Sequence, residues 1–388
     1  MTSHSRRWTT ALLLSATLSA CSGSMEPTPT WGTIELTVTT TGTDIDPDGY
    51  SLGVAGSPTN GIPANGTVTW TGGAGNHAIT IGGLAFNCEV TSSPTTALVT
   101  LGDTTHIDVR VSCGPYLGNG IIYISTAFGN GEVMVMRPDG SRRQRLTTDQ
   151  AAYATPAVSP DGQTIAATSK AGSGSWSGIY LMDRFGKGRT KLAGHDASDS
   201  HAVWSPDGTK LAFTSMLPSP SSDYGVFVVN RDGTGLSLVS PGPVDQASTN
   251  APAWSPDGTR LMYRHRGALN VGDLMVVNVD GTGATSLGIN GHAPAWSPDG
   301  SRIAYQASSN TKQTIFVADP NGANSRQLLT PVDGDETPQW SPNGRQLVFL
   351  RREIGAALIY KVGADATGLT KLTEAVQTEW DPRWTPTF

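Results

Sequence analysis

The sequence predicts an all-β chain: a six-bladed β-propeller closed by a blade shared between its two ends, preceded by a small immunoglobulin-like β-sandwich. Three observations carry this. A turn is spelled five times, as Ser159-Pro160-Asp161-Gly162, Ser205-Pro206-Asp207-Gly208, Ser255-Pro256-Asp257-Gly258, Ser297-Pro298-Asp299-Gly300 and Ser341-Pro342-Asn343-Gly344, with serines 46, 50, 42 and 44 residues apart. Thr385-Pro386 stands a further 44 residues on. A strand-only period in the forties is the signature of a propeller. Composition agrees: 46 glycines and 25 prolines are too many for a helical protein, and 37% hydrophobic residues too many for disorder. Finally, short runs rich in Thr, Val and Ile alternate in and out, as half-buried strands do.

The elements follow in order. Residues 1–20 read as an export signal: positive charge in MTSHSRRW, a short apolar core in TTALLLSATLSA, and small residues up to Cys21. That core is too short for a permanent membrane span. Leu18-Ser19-Ala20-Cys21 resembles the lipobox of bacterial lipoproteins, which implies that Cys21 becomes the lipid-bearing first residue of the mature chain. Several acyl chains hold a protein firmly on a membrane where one would not. Ser22 after the cysteine, rather than Asp, implies passage to the outer membrane. The alternative is a plain secretory signal with an incidental cysteine. Residues 21–30 form a polar, proline-containing tether.

Residues 31–114 read as the sandwich. Ile34, Leu36 and Val38 share one strand face, as do Ile79 and Ile81, and Ile107, Val109 and Val111. An exported chain with two remaining cysteines suggests a structural disulfide between Cys88 and Cys113. Asp44, Asp46, Asp48 and Gly49 match the opening of a calcium loop, but Ala55 stands where the bidentate Glu should be and the flanks are strands. An acidic turn is the preferred reading, and calcium completed by ligands from elsewhere the alternative. No other cofactor is expected.

Residues 118–388 hold the repeats. Serine caps each turn, proline presets φ, Asp or Asn suits the third position, and glycine takes the positive φ that reverses the chain. Each turn joins an inner strand ending in Trp (Trp204, Trp254, Trp296, Trp340, Trp384; Val158 in the first copy) to a second strand, and the tryptophans are expected between neighbouring blades. Hairpins such as VFVVNRDGTGLSLV supply the outer strands. Gly120–Thr147 has the last three strands of a unit and EWDPRWTPTF only the first, so together they make one blade and remove exposed edges. These repeats resemble the WD40-like repeats of the TolB propeller family over roughly Gly120 to Phe388. TolB carries an α/β domain before its propeller, where this chain carries a β-domain.

In a ring of such blades, residues just before each Trp gather at the mouth opposite the Ser-Pro-Asp-Gly turns. They are Asp199, Ser200 and His201, Asn250, His292, Asp335 and Glu336, and Glu379 and Asp381. Two histidines and several carboxylates could take a cation, a sugar or a basic peptide; a hydrated polar funnel is the plainer reading. No G-x-S-x-G, H-E-x-x-H or P-loop occurs. The net charge of −6 provides no footprint for nucleic acid, and the basic run Arg137–Arg145 reads as a solvated outer strand. The expectation is a non-enzymatic, monomeric envelope lipoprotein whose propeller binds a protein or peptide partner. The alternative is a metal-dependent glycan-binding or polysaccharide-lyase-like propeller.

Overall fold

The computed structural model describes residues 28–387 except 43, 46–48, 56, 59–60, 86, 115, 150, 171–175, 193–197, 218–222, 241, 245–250, 267–271, 310, 333 and 375–377. The signal segment, Cys21, Asp46, Asp48 and Asn250 lie outside the described residues. Strands and turns account for all regular structure among the described residues. No helix there is long and apolar enough to cross a membrane.

Eight strands form the N-terminal sandwich: β1 (Gly32–Gly42), β2 (Ser51–Val54), β3 (Ser57–Pro58), β4 (Gly66–Gly72), β5 (Gly75–Gly82), β6 (Cys88–Ser92), β7 (Thr96–Val99) and β8 (Thr104–Cys113). One sheet runs β4-β1-β8-β6 and the other β3-β2-β5-β7. β1 pairs antiparallel with β4 and parallel with β8. The alternation read from the sequence sends Ile34, Leu36, Val38, Val109 and Val111 into a core shared with Leu52, Val54 and Ile79 of the facing sheet. Each such burial contributes about 1.5–3 kcal/mol before ordering entropy is subtracted. Ile81 is only partly buried, packed at the edge of that core. Cys88 and Cys113 face each other across the β6–β8 pair and are joined by a disulfide, with Cα atoms 4.0 Å apart.

From Ile121 onward the chain forms six four-stranded sheets. Five are consecutive in sequence, with first strands Tyr153–Val158, Ser200–Trp204, Ala253–Trp254, His292–Trp296 and Asp335–Trp340. The sixth is composite. β9 (Ile121–Ser125), β10 (Glu132–Met136) and β11 (Gln144–Arg145) are completed by the C-terminal strand Glu379–Trp384, which pairs with β9. Asn119 N–H to Pro386 O (2.8 Å) and Thr385 N–H to Gly120 O (2.9 Å) extend this seam. Each first strand lies against the next, and Glu379–Trp384 lies against both Asp335–Trp340 and Tyr153–Val158.

Packing between sheets follows the tryptophans. Trp204 packs with Ala157, Ala166 and Ile179 of the preceding sheet, Trp254 with Ala212, Val226 and Val228, and Trp296 with Met262 and Leu274. The indole of Trp204 donates to Ala157 O (3.1 Å) and that of Trp254 to Val203 O (3.2 Å). The repeated turn has one bonding scheme. In its third copy, Ser255 Oγ donates to Asp257 and accepts from Arg260 N–H (3.0 Å), while Asp257 Oδ1 accepts from Thr259 N–H (3.0 Å). Gly258 takes φ +70°, a conformation any Cβ would strain.

The sandwich meets the ring at two outer hairpin turns. Arg184, in the turn after strand Trp176–Asp183, contacts both carboxylate oxygens of Asp44 at 2.9 and 3.0 Å. Asp44 Oδ2 also accepts from Tyr116 N–H at 2.7 Å. Arg137, after β10, donates to Cys88 O at 2.9 Å. Both turns stand at the end of the ring that carries the Ser-Pro-Asp-Gly turns, because Asp183 pairs with Thr164 and Met136 with Ile121. Thus Asp44, read from the sequence as the first residue of an acidic turn or calcium loop, has its carboxylate occupied by a guanidinium and an amide.

Candidate functional site

The inner strands share an irregularity that builds the site. Register shifts fall between Ala154 and Ala157, Ser200 and Val203, His292 and Ala295, Glu336 and Gln339, and Trp380 and Arg383. Within these bulges Thr155, His201, Ala293, Thr337 and Asp381 take φ of 46–59°, the left-handed region. For β-branched Thr155 and Thr337 this is a marked outlier. All five stand four residues before the repeat's Ser or Thr, so the same strained position recurs around the ring. Such strain persists only where surrounding structure fixes it, and it concentrates at binding sites.

At the mouth, a cavity of about 620 Å³ opens between the composite sheet and the first, second and fifth sheets. Asp199, Ser200, His201, Glu336, Glu379 and Asp381 line it, as the sequence positions suggest, together with Thr155, Thr337, Arg352 and Trp380. Below, it narrows to a chamber of about 20 Å³ between His201, Thr337, Gln339, Asp381 and Arg383.

Two expected residues do not reach the cavity wall, and a third, Asn250, is not among the described residues. Asp335 is fully buried behind it and bonded at both oxygens by Arg351 (2.7 and 2.9 Å). It neighbours Glu336 in a strand, so the two side chains leave on opposite faces. His292 Nδ1 lies 3.1 Å from Arg264 Nη1 and belongs to the fourth sheet, outside the sector where the cavity opens. Arg352, Arg383 and Thr337 were not anticipated. Arg383 had a sequence signal: its counterparts two residues before the repeat's Ser are Ala157, Val203, Ala253, Ala295 and Gln339.

The charged groups on the walls are mainly acidic. Asp199, 3% exposed, accepts from the Ser215 hydroxyl. Glu336 makes a two-point pair with Arg352 at 2.7 and 3.1 Å. Glu379 is fully buried; burial and then its charge push the Tyr123 hydroxyl well above the usual range. Asp381 accepts from Thr155 N–H at 3.0 Å. Burial pushes its carboxyl up, against the pull of His201, Arg383 and that N–H. Arg383 is pushed down by burial, with Asp381 opposing. Both residues touch the channel but are crowded by protein on their other sides. His201 Nδ1 sits 2.9 Å from Ser200 Oγ and 3.3 Å from Thr214 Oγ1. With Glu336 neutralised by Arg352 and Asp381 opposed by Arg383, the carboxylates of Asp199 and Glu379 remain beside His201, so the cavity favours an incoming cation.

Thr337 adds a specific feature. It is 8% exposed, and its buried Oγ1 has no hydrogen-bond partner among the described residues. Leaving such a group unpaired costs about 1–3 kcal/mol. Among the described residues no three His, Cys, Asp or Glu side chains are grouped to hold a metal ion.

Comparison with known proteins matches the model described as "TolB beta propeller domain" over residues 219–387. Among solved structures, the chain is similar to TolB from Acinetobacter baumannii (TM-score 0.61, 20% identity, 71% of this chain and 68% of that one). It is also similar to a putative TolB from Agrobacterium tumefaciens (0.54, 18%, 66% and 88%) and to a chain of a nidogen/laminin complex (0.55, 10%, 68% and 97%). At these identities the likeness is one of fold. Residues 219–387 match the TolB β-propeller domain, and the chain shares its fold with solved TolB proteins.

Proposed function

We propose that this chain is a non-catalytic, lipid-anchored bacterial envelope protein whose propeller mouth binds a basic segment of a partner protein. The six sheets are read as the blades of one propeller closed by the composite sheet. The immunoglobulin-like sandwich serves as its stalk, and Cys21 as the lipid anchor, placed in the outer membrane. The observation that carries the reading is the mouth itself. A cavity of about 620 Å³, within the usual range for a ligand site, brings Asp199, Glu379 and Asp381 together above the unpaired hydroxyl of Thr337. A lysine or arginine side chain entering it would meet carboxylates in a poorly solvated space, where charge-assisted hydrogen bonds are strong. The comparison with TolB supports a protein-binding envelope role at the level of fold, and fold alone does not fix function.

Random hexapeptides with one fixed position, Lys or Arg in one set and Glu in the other, test this by fluorescence anisotropy. The basic set should bind saturably, more weakly at higher salt, and lose at least tenfold in affinity with Glu379→Gln/Asp381→Asn. Equal binding of the two sets would refute the reading.

A further inference from the structure

Three of the large apolar side chains exposed to water share one end of the sandwich: Trp31 at 64%, Leu98 at 59% and Leu101 at 46%. The backbone brings them together. Trp31 O accepts from Gly102 N–H (3.0 Å), and Thr33 N–H donates to Asp103 O (2.9 Å). A Cβ at Gly32 would stand 2.6 Å from Val99 Cγ1 and 2.2 Å from Thr100 O. Pro29 closes over the same turn, its Cγ 3.0 Å from where Gly102 would carry a Cβ. Start of β1, end of β7 and the β7–β8 turn therefore make one tip with an apolar rim. Asp103 is exposed on the same turn.

Two facts say what this tip faces. The tip is where the chain arrives from Cys21, about eight residues before Pro29, so the two can be at most ~28 Å apart. It is also the end of the sandwich far from the ring. β1 spans Gly32–Gly42, about 35 Å at strand rise. Its other end reaches Gly42 beside Cys113, next to the Asp44–Arg184 contact. That contact lies on the Ser-Pro-Asp-Gly side of the ring, and the mouth is on the opposite side.

We propose that the tip formed by Pro29, Trp31, Leu98 and Leu101 is a membrane-contact surface that seats on the bilayer holding Cys21 and keeps the propeller mouth facing away from it. Tryptophan is at home in the headgroup region, with its ring apolar and its N–H wet. The short tether keeps the bilayer at high effective concentration at the tip, and exposed apolar patches mark interaction surfaces. The proposal rests on the lipid-anchor reading for the presence of a bilayer. It adds which surface touches that bilayer and which way the mouth points.

The sequence has only three cysteines. With Cys88 and Cys113 bonded to each other, Cys21 is the single thiol for coupling the mature chain to a maleimide lipid. Anchored this way on phosphatidylcholine vesicles with brominated acyl chains, the protein should lose about one ninth of its tryptophan emission, Trp31 being one of nine tryptophans after residue 20. Trp31→Phe should abolish that loss, and Leu98→Ser/Leu101→Ser should reduce it at least twofold. No bromine-dependent loss in the anchored wild type, or a loss unchanged in Trp31→Phe, overturns the proposal. Failure of the anchor reading is seen separately, as a native protein whose mass shows no acyl chains on Cys21.

Discussion

Arg351→Ala should destabilise the ring strongly, and more at alkaline than at acid pH. Asp335 is fully buried, and its carboxylate is held at both oxygens by Arg351, at 2.7 and 2.9 Å. The guanidinium also sits 5.5 and 5.0 Å from the rings of Phe349 and Tyr360. Burial pushes the Asp335 carboxyl above its ordinary value even with Arg351 pulling it down. Removing Arg351 leaves a buried, uncompensated carboxylate, a change that costs about 3–5 kcal/mol. At a few degrees per kcal/mol, the melting temperature should fall by about 6 °C or more. The carboxylate can escape by taking a proton. A carboxyl whose folded pKa is raised favours the folded state at low pH, and that advantage is lost as pH rises through the folded value. Calorimetry should therefore show a larger deficit at pH 8 than at pH 5. Asp335→Asn/Arg351→Met, which removes both charges, should recover most of the loss. A deficit under about 2 °C, or one equal at both pH values, would refute this account of the pair.

Other expectations can be checked on the same purified protein. Asp257 and Asp299 are held at about 2, by the hydroxyls of Ser255 and Ser297 first and then by backbone N–H groups. Their contribution is complete above the unfolded value near ~4 and lost as pH falls through the folded one. The melting temperature should drop over that window, less steeply in Ser255→Ala/Ser297→Ala; an unchanged slope would count against the turn scheme. Ala293 takes φ 46° in its bulge. Ala293→Gly should stay within about 1 kcal/mol of wild type while Ala293→Val costs more, by urea unfolding, because β-branching disfavours that region; equal effects would contradict the bulge geometry. Cys88→Ser/Cys113→Ser opens a crosslink across 25 residues. It should weaken the sandwich by about 3 kcal/mol in the chain-entropy picture, seen as a lower-temperature calorimetric step; no change would mean the bond constrains little.

Much of the fold was legible because the repeats state it. Ser-Pro-Asp-Gly fixes the turn by local bonds, and Trp before it fixes which sheet it packs against. The mouth was legible in part, since position before each Trp sends a residue to one end of the ring. Which side chain faces the channel was harder, because a bulge interrupts strict alternation. Asp335 and Glu336, just before the bulge, still alternate: adjacent in sequence, one is buried against Arg351 and the other lines the cavity. The proline that follows four of the five bulge residues (Pro156, Pro294, Pro338, Pro382) was a usable signal, as proline in a strand belongs at bulges and edges. The Asp44–Arg184 contact had no such signal, because it joins residues 140 apart through the docking of two domains.

The central claim is that a partner segment enters the mouth. A photo-crosslinking amino acid placed at Thr378, which lines the cavity, or at Thr209, exposed on the opposite face, tests it in the native host. A discrete protein adduct is expected from position 378, weakened by Glu379→Gln/Asp381→Asn, and none from position 209. Adducts only from position 209, or none from either, would contradict it.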